Sequence, residues 1–125
     1  MVVLDTNIII EHLRRHGKNS PLLSLGKKFP NELFALSIIS IQELFEGKST
    51  RERQEEEFLL ATLGPLKVLP YTFEIAQKAG EIARDLDRRV DLADAAIAST
   101  VIINGARFFT LNKKDFAGIK DLELL

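Results

Sequence analysis

Four acidic residues, Asp5, Glu43, Asp94 and Asp115, stand in four separate apolar-rich stretches of a 125-residue chain. A carboxylate directly after Val2-Val3-Leu4, or within Leu92-Ala93-Asp94-Ala95-Ala96-Ile97, is badly placed for solvent. Taking an ionised carboxylate out of water is strongly unfavourable unless something pairs it. If the four converge they repel one another, and a divalent cation is the partner that relieves the repulsion. Carboxylate oxygens suit a hard ion, Mg²⁺ or Mn²⁺. The chain has no cysteine and only two histidines, which argues against zinc. Such an ion makes water a usable nucleophile and steadies charge on a phosphate during in-line attack. No Ser–His–Asp or Cys–His nucleophile set is evident beside it. His12 and His16 are spaced to share a helix face, but the glutamate of the metalloprotease arrangement is missing between them. Both are expected at the surface.

Each acid also has an ordinary structural explanation. Asp5 can cap the helix that follows it. Ser40-Ile41-Gln42-Glu43 has the form of a capping box, with Glu43 reaching back to the Ser40 amide. Asp91 is the natural cap of its own helix, and Asp94 can complete a similar box. Asp115 in Lys113-Lys114-Asp115 can be a solvated loop charge. Asp94 is the least comfortable of these, because it shares a helix face with Ile97, Ala98 and Val101, which should point into the core.

The elements that must position these residues alternate between strand and helix. Val2-Val3-Leu4 reads as a short buried strand, and Asp5-Thr6-Asn7 opens a helix through Ile8, Ile9, Ile10 and Leu13. Ser20-Pro21 starts a second helix that runs to about Lys28. Leu33 to Ile39 reads as the second strand, and Ser40 starts a helix that Gly47 breaks or bends. A charged helix is expected from Thr50 to Leu63, then a short strand over Leu66-Lys67-Val68-Leu69. Ile75, Ala79, Ile82 and Leu86 mark a helix from Thr72 to about Arg88. Asp91 caps another that ends at Asn104-Gly105. Arg107 to Leu111 is a strand, Asn112 to Gly118 a loop or single turn, and Leu122 to Leu125 a candidate edge strand.

Most of these strands are apolar runs with no polar face, so the sheet should be mostly parallel and covered on both sides. The expected architecture is a three-layer α/β/α sandwich with four or five central strands, residues 1–125 forming one domain. In an open parallel sheet, ligands bind beyond the carboxyl ends of the strands. Asp5, Glu43 and Asp115 follow strands, and Asp94 opens the helix before the strand at 107 to 111. All four are expected on that edge.

Composition is that of an ordinary globular chain, 46% apolar and 28% charged. No repeat, low-complexity tract or bilayer-length apolar run is present. No secretory leader is visible, and the lack of cysteine fits a reducing cytoplasm. The net charge of −1 argues weakly against a dedicated nucleic-acid binder. If a metal neutralises four of the 18 acids, 14 remain against 17 Lys and Arg, and the balance turns to +3.

The motifs Val3-Leu4-Asp5-Thr6-Asn7, Ser40-Ile41-Gln42-Glu43-Leu44, Asp91-Leu92-Ala93-Asp94-Ala95-Ala96-Ile97-Ala98 and Phe109-Thr110-Leu111-Asn112-Lys113-Lys114-Asp115-Phe116 occur in that order. Together they resemble the PIN-domain ribonucleases, particularly VapC-type toxins of toxin–antitoxin pairs, over essentially the whole chain. The resemblance implies a Mg²⁺- or Mn²⁺-dependent endoribonuclease leaving 5′-phosphate and 3′-hydroxyl ends. Asp5, Glu43, Asp94 and Asp115 match the family's acidic quartet. Thr6, Asn7, Thr110 and Asn112 match the polar positions around it. Asp91 is a helix cap first and an auxiliary acid second. Leu111 departs from the pattern, standing where many relatives carry arginine. An antitoxin and a second copy of the chain are the implied partners, with Leu22, Leu23 and Leu25 candidates for either interface or for core packing. Lys113, Lys114 and Lys48, and with less support Lys18 and Arg51, are candidates to hold RNA phosphates. Two alternatives stand beside this reading. One is a phosphoryl-accepting receiver domain, which needs adjacent acids after its first strand. The other is a PIN-like RNA-binding module without catalysis.

Overall fold

The computed structural model describes all 125 residues. Its elements are β1 (Val2–Leu4), α1 (Thr6–Arg14), α2 (Pro21–Lys28), β2 (Phe34–Ser37), α3 (Ile38–Glu46), α4 (Arg53–Leu63), β3 (Lys67–Leu69), α5 (Phe73–Asp85), α6 (Leu92–Ile103) and β4 (Arg107–Phe109). Two 3-10 turns, Lys48–Arg51 and Lys113–Phe116, complete it. The sheet order is β3-β2-β1-β4, with every pair parallel. A parallel bridge from Phe108 to Leu124 adds one residue pair beyond β4, so the fifth strand shrinks to a bridge. A receiver domain would have β1 between β2 and β3. Here β3 lies outside β2 instead.

Strand side chains alternate between two cores. Val3, Ala35, Leu69 and Phe108 face one side, where Ile97, Ala98 and Val101 of α6 cover them. Val2, Leu4 and Leu36 face the other, under Ile8 and Ile9 of α1, Leu25 of α2, Leu44 of α3 and Leu59 of α4. This is the three-layer sandwich that apolar strands demand, because each face must be dried by helices. Leu25 therefore belongs to the core, whereas Leu23 is exposed.

The amino edge of the sheet is closed by charge. Glu32 accepts from Arg107 at 2.6 Å and lies 3.4 Å from the Met1 ammonium. The carboxyl edge, opposite, is left for the acids.

Several boundaries differ from the sequence expectation. The second strand ends at Ser37, and α3 starts at Ile38. Ser37 caps α3 by accepting from the Ile39 amide at 3.1 Å, so Ile38 and Ile39 are helical despite their strand propensity. The strand at 107 ends at Phe109. Residues Lys48–Arg51 form a separate 3-10 turn, and α4 begins at Arg53. His12 is not a surface residue: it is buried, its Nδ1 is 2.7 Å from Ser20 Oγ, and its ring stacks on Phe58. His16 is exposed, as expected.

Candidate active site

Asp5 follows β1 directly and sits at the N-cap position of α1 with extended backbone. Its amide donates to the Phe109 carbonyl at 2.9 Å, which fixes it against the end of β4. The side chain is 5% exposed. Oδ1 accepts from the Thr6 amide at 2.8 Å and Oδ2 from the Thr110 hydroxyl at 2.7 Å. A helix-capping carboxylate ordinarily reaches the amides at the second or third helical position. Asp5 reaches only the first, so capping explains half of this side chain at most. Burial raises the Asp5 pKa first of all. The Thr110 and Thr6 bonds oppose that, and the negative charges of Glu43 and Asp115 reinforce it.

Thr6 connects Asp5 to Glu43. Its hydroxyl lies 2.7 Å from Glu43 Oε1 and 2.8 Å from Ser40 Oγ. One hydroxyl carries one proton, so Thr6 donates to the carboxylate and receives from Ser40. The expected capping box between Ser40 and Glu43 is therefore absent. Ser40 lies inside α3, fully buried, and its hydroxyl is engaged by Thr6. Glu43 falls in the second turn of α3, half-buried.

Asp94 lies in the first turn of α6. Ala95, Ala96 and Ala98 give that helix a small-residue surface, and every residue from Ala95 to Val101 is buried. Asp94 is half-buried at the end of this apolar helix. Its pKa is pushed up to about 6, by burial first and then by the charges of Asp5, Asp115, Asp91 and Glu43. No hydrogen bond offsets either effect. Asp91 holds the N-cap backbone position but makes no side-chain capping bond and is exposed.

Asp115 is exposed on the 3-10 turn after β4. Thr110 ties that region to the site: its hydroxyl accepts from the Asn112 amide at 3.0 Å while donating to Asp5. Asn112 thus contributes its backbone, and its exposed side chain caps nothing. Asn7 is half-buried on α1. Lys113, Lys114 and Lys48 are exposed and form no ion pair. Leu111, half-exposed, presents an apolar side chain beside them.

The four acids therefore act on one another electrostatically across the ends of three strands. No three of the carboxylate and imidazole groups stand close enough to bind a single ion directly. An all-oxygen set of this kind still suits Mg²⁺, which keeps several waters and takes one or two carboxylates. Unrelieved repulsion at Asp94 is what such an ion would remove.

Sequence reasoning missed two residues. Ser40 was assigned to the wrong partner, because its contact with Thr6 spans 34 positions. Arg88 donates to the carbonyls of Asp115 and Ala117, and nothing local in Asp87-Arg88-Arg89 signals this.

Comparison with known proteins gives the arrangement its context. The PIN domain family model matches residues 2–122. A ribonuclease VapC10 of Mycobacterium tuberculosis is 34% identical, over 98% of this chain and 91% of the relative. A ribonuclease VapC1 of Methanocaldococcus jannaschii is 29% identical, over 98% and 84%. Among solved structures, VapBC2 from Rickettsia felis, bound to a DNA fragment from its promoter, superposes with a TM-score of 0.87 at 26% identity, covering 100% of this chain and 98% of that one. VapBC-1 from nontypeable Haemophilus influenzae gives 0.81 at 26% identity, over 100% and 97%. The receiver alternative falls on this match as it does on strand order, and the chain belongs to the PIN-domain family, with VapC ribonucleases as its relatives.

Proposed function

We propose that this chain is a Mg²⁺- or Mn²⁺-dependent endoribonuclease, the toxin of a toxin–antitoxin pair, acting in the cytoplasm as one PIN-like domain over residues 1–125. The observation that carries this reading is the coupling of Asp5, Glu43, Asp94 and Asp115 at one sheet edge, with Asp94 pushed to about 6 and no lysine or arginine paired to any of them. These four would hold the ion, one or two of them directly and the others through its waters. When bound, the ion supplies positive charge against the phosphate and makes water a better nucleophile at neutral pH.

The protein's own groups do the rest. Thr6 and Thr110 orient Asp5 inside the fold and oppose the rise of its pKa, and Thr6 with Ser40 orients Glu43. One of the acids takes the proton of the attacking water. The water oxygen bonds to phosphorus as the bond to the 3′ oxygen breaks, and that oxygen takes a proton from solvent, which leaves a 5′-phosphate and a 3′-hydroxyl. Lys113, Lys114 and Lys48 seat neighbouring phosphates.

Two surfaces suit the proposed protein partners. A groove of about 370 Å³ beside Glu43 is lined by Ile10, Leu13 and Leu44 among charged residues, which fits an antitoxin segment that blocks the site. Phe73 and Leu92, 87% and 84% exposed at the starts of α5 and α6, fit a homodimer contact.

The test is cleavage of single-stranded RNA with Mg²⁺, with EDTA and Asp5→Asn as controls. Cleavage that survives both removes the metal mechanism. RNA binding without any cleavage selects the catalytically silent module.

A further inference from the structure

The segment between α5 and α6 runs from Leu86 to Asp91 and delivers the chain to the helix that carries Asp94. Arg88 leaves this segment and crosses to the turn that carries Asp115. Its Nη2 donates to the Asp115 carbonyl at 3.0 Å and to the Ala117 carbonyl at 2.7 Å. Neither carbonyl accepts a backbone amide. The turn needs this support. Lys113–Phe116 is a single 3-10 turn, and such turns are marginal on their own. Its exit is irregular too, since Gly118 has φ +81 and the following Ile119 amide reaches Phe116 at 3.4 Å. Two anchors hold it. From below, buried Phe116 packs edge-on against Phe108 at 4.7 Å. From outside, Arg88 grips the backbone with bonds from a charged donor.

We propose that Arg88 is a positioning residue of the site, a clamp that holds the Asp115 turn against the start of α6. This rests on the reading of Asp94 and Asp115 as ion-holding residues. Those two carboxylates repel each other, and Asp115 is kept in place by a short turn and its two anchors. The clamp acts on the carbonyl of Asp115 itself. It resists the outward drift that repulsion favours before an ion arrives, and it leaves both carboxylates free for that ion. Preorganisation of this sort raises ion affinity without touching the reacting atoms.

The experiment uses the full chain and the variants Arg88→Ala, Arg88→Lys and Arg84→Ala. Arg84 pairs with Asp85 in α5 and makes no hydrogen bond to the turn, so its loss controls for the removal of a neighbouring positive charge. Amide hydrogen exchange of the metal-free proteins reads the turn. Calorimetric titration with Mn²⁺ reads affinity, and Mg²⁺ titration of RNA cleavage separates half-saturation from kcat. Arg88→Ala should exchange faster from Asp115 to Ile119 than wild type. It should bind Mn²⁺ about three- to tenfold more weakly, as expected for two hydrogen bonds lost at an exposed site. Its kcat at saturating Mg²⁺ should stay within about twofold of wild type, since the reacting groups are intact. Arg88→Lys, which keeps a charged donor, should recover part of the affinity. Arg84→Ala should match wild type throughout. Wild-type exchange and Mn²⁺ affinity in Arg88→Ala would overturn the clamp, as would a fall in kcat with unchanged half-saturation. Failure of the wild type to bind Mn²⁺ would sink the active-site reading instead. The metal-free exchange data distinguish that result from an idle Arg88.

Discussion

Asp94→Asn should make the metal-free protein more stable while destroying its activity. The Asp94 carboxyl titrates at about 6 rather than at its ordinary 3.8. A difference of that size corresponds to roughly 3 kcal/mol between folded and unfolded states at pH 7. Asp94 is only half-buried, and screening by solvent reduces this to about 1 kcal/mol. The sign follows from proton uptake. The folded state holds the Asp94 proton more tightly, so stability is greatest below 3.8 and is lost as pH rises through about 6. Asparagine keeps the shape and removes the charge, and no hydrogen bond is sacrificed. In EDTA at pH 7, Asp94→Asn should melt about 3–5 °C above wild type. The gap should shrink as pH falls toward 4, where wild-type Asp94 is itself protonated. Adding Mg²⁺ should raise the wild-type melting temperature and raise that of the variant less. RNA cleavage should fall by about a hundredfold or more, as for lost metal ligands and their supports. A variant that melts at or below wild type at both pH values in EDTA would show that Asp94 is not under repulsion, and the argument for an ion would lose its basis.

Protons and ion should compete for the same group. Mg²⁺ half-saturation of cleavage should therefore rise as pH falls below about 6, the Asp94 value, while kcat at saturating Mg²⁺ changes less. Thr6→Val removes the hydroxyl that joins Ser40 to Glu43 and should weaken Mg²⁺ affinity or activity by about 10–100-fold, with little change in melting temperature. Thr110→Val should act similarly, and it should also raise the Asp5 pKa further by removing the bond from its hydroxyl. His12 is held neutral by burial, below its ordinary 6.5. Wild type should lose stability as pH drops through that region, and the drop should be smaller in His12→Gln when the two are compared by urea unfolding at pH 7 and pH 5.5.

The order of elements was legible because each strand is an apolar run and most helices carry a recognisable start. Ser20-Pro21 opens a helix in the structure as in the sequence, with Ser20 accepting from the Leu23 amide. Thr72, the expected first residue of its helix, is the cap just before it, accepting from the Ile75 amide. Failure came where two local signals conflicted. Ile38 and Ile39 favour a strand by side chain, yet Ser37 outranks them by satisfying a helix amide. Ser40 offered an equally good capping pattern three residues too late. Its hydroxyl instead went to Thr6, a contact that only the folding of β1 beside β2 creates. His12 was misplaced for a related reason. Its partners are Ser20, the cap of α2, and Phe58 of α4, so nothing within α1 marks it as an interior residue. Arg88 has the same character, since its partners lie 27 and 29 positions away. The acids themselves could be found because their signal is chemical: a charge in an apolar run is conspicuous without knowing what it touches.

The partners chosen for the acids also distinguish a site from a structural network. Elsewhere four carboxylates pair with cations, Glu11 with Arg14 and Arg15, Glu32 with Arg107 and the N-terminus, Glu57 with Arg53, and Asp85 with Arg84, and most of the others are exposed to water. At the carboxyl edge of the sheet no such pair forms. Asp5 and Glu43 are met by hydroxyls and a backbone amide, and Asp94 by nothing. A fold selected only to bury Asp5 would do better with an arginine, which would neutralise the charge and lower the pKa. Hydroxyl groups fix the direction of a carboxylate and leave its charge in place. Arg88 obeys the same rule from the positive side, since it grips the backbone carbonyl of Asp115 and spares the carboxylate. Orientation without neutralisation destabilises the free protein. It becomes favourable only when an external cation arrives, which is the physical reason to read this edge as a metal-using active site.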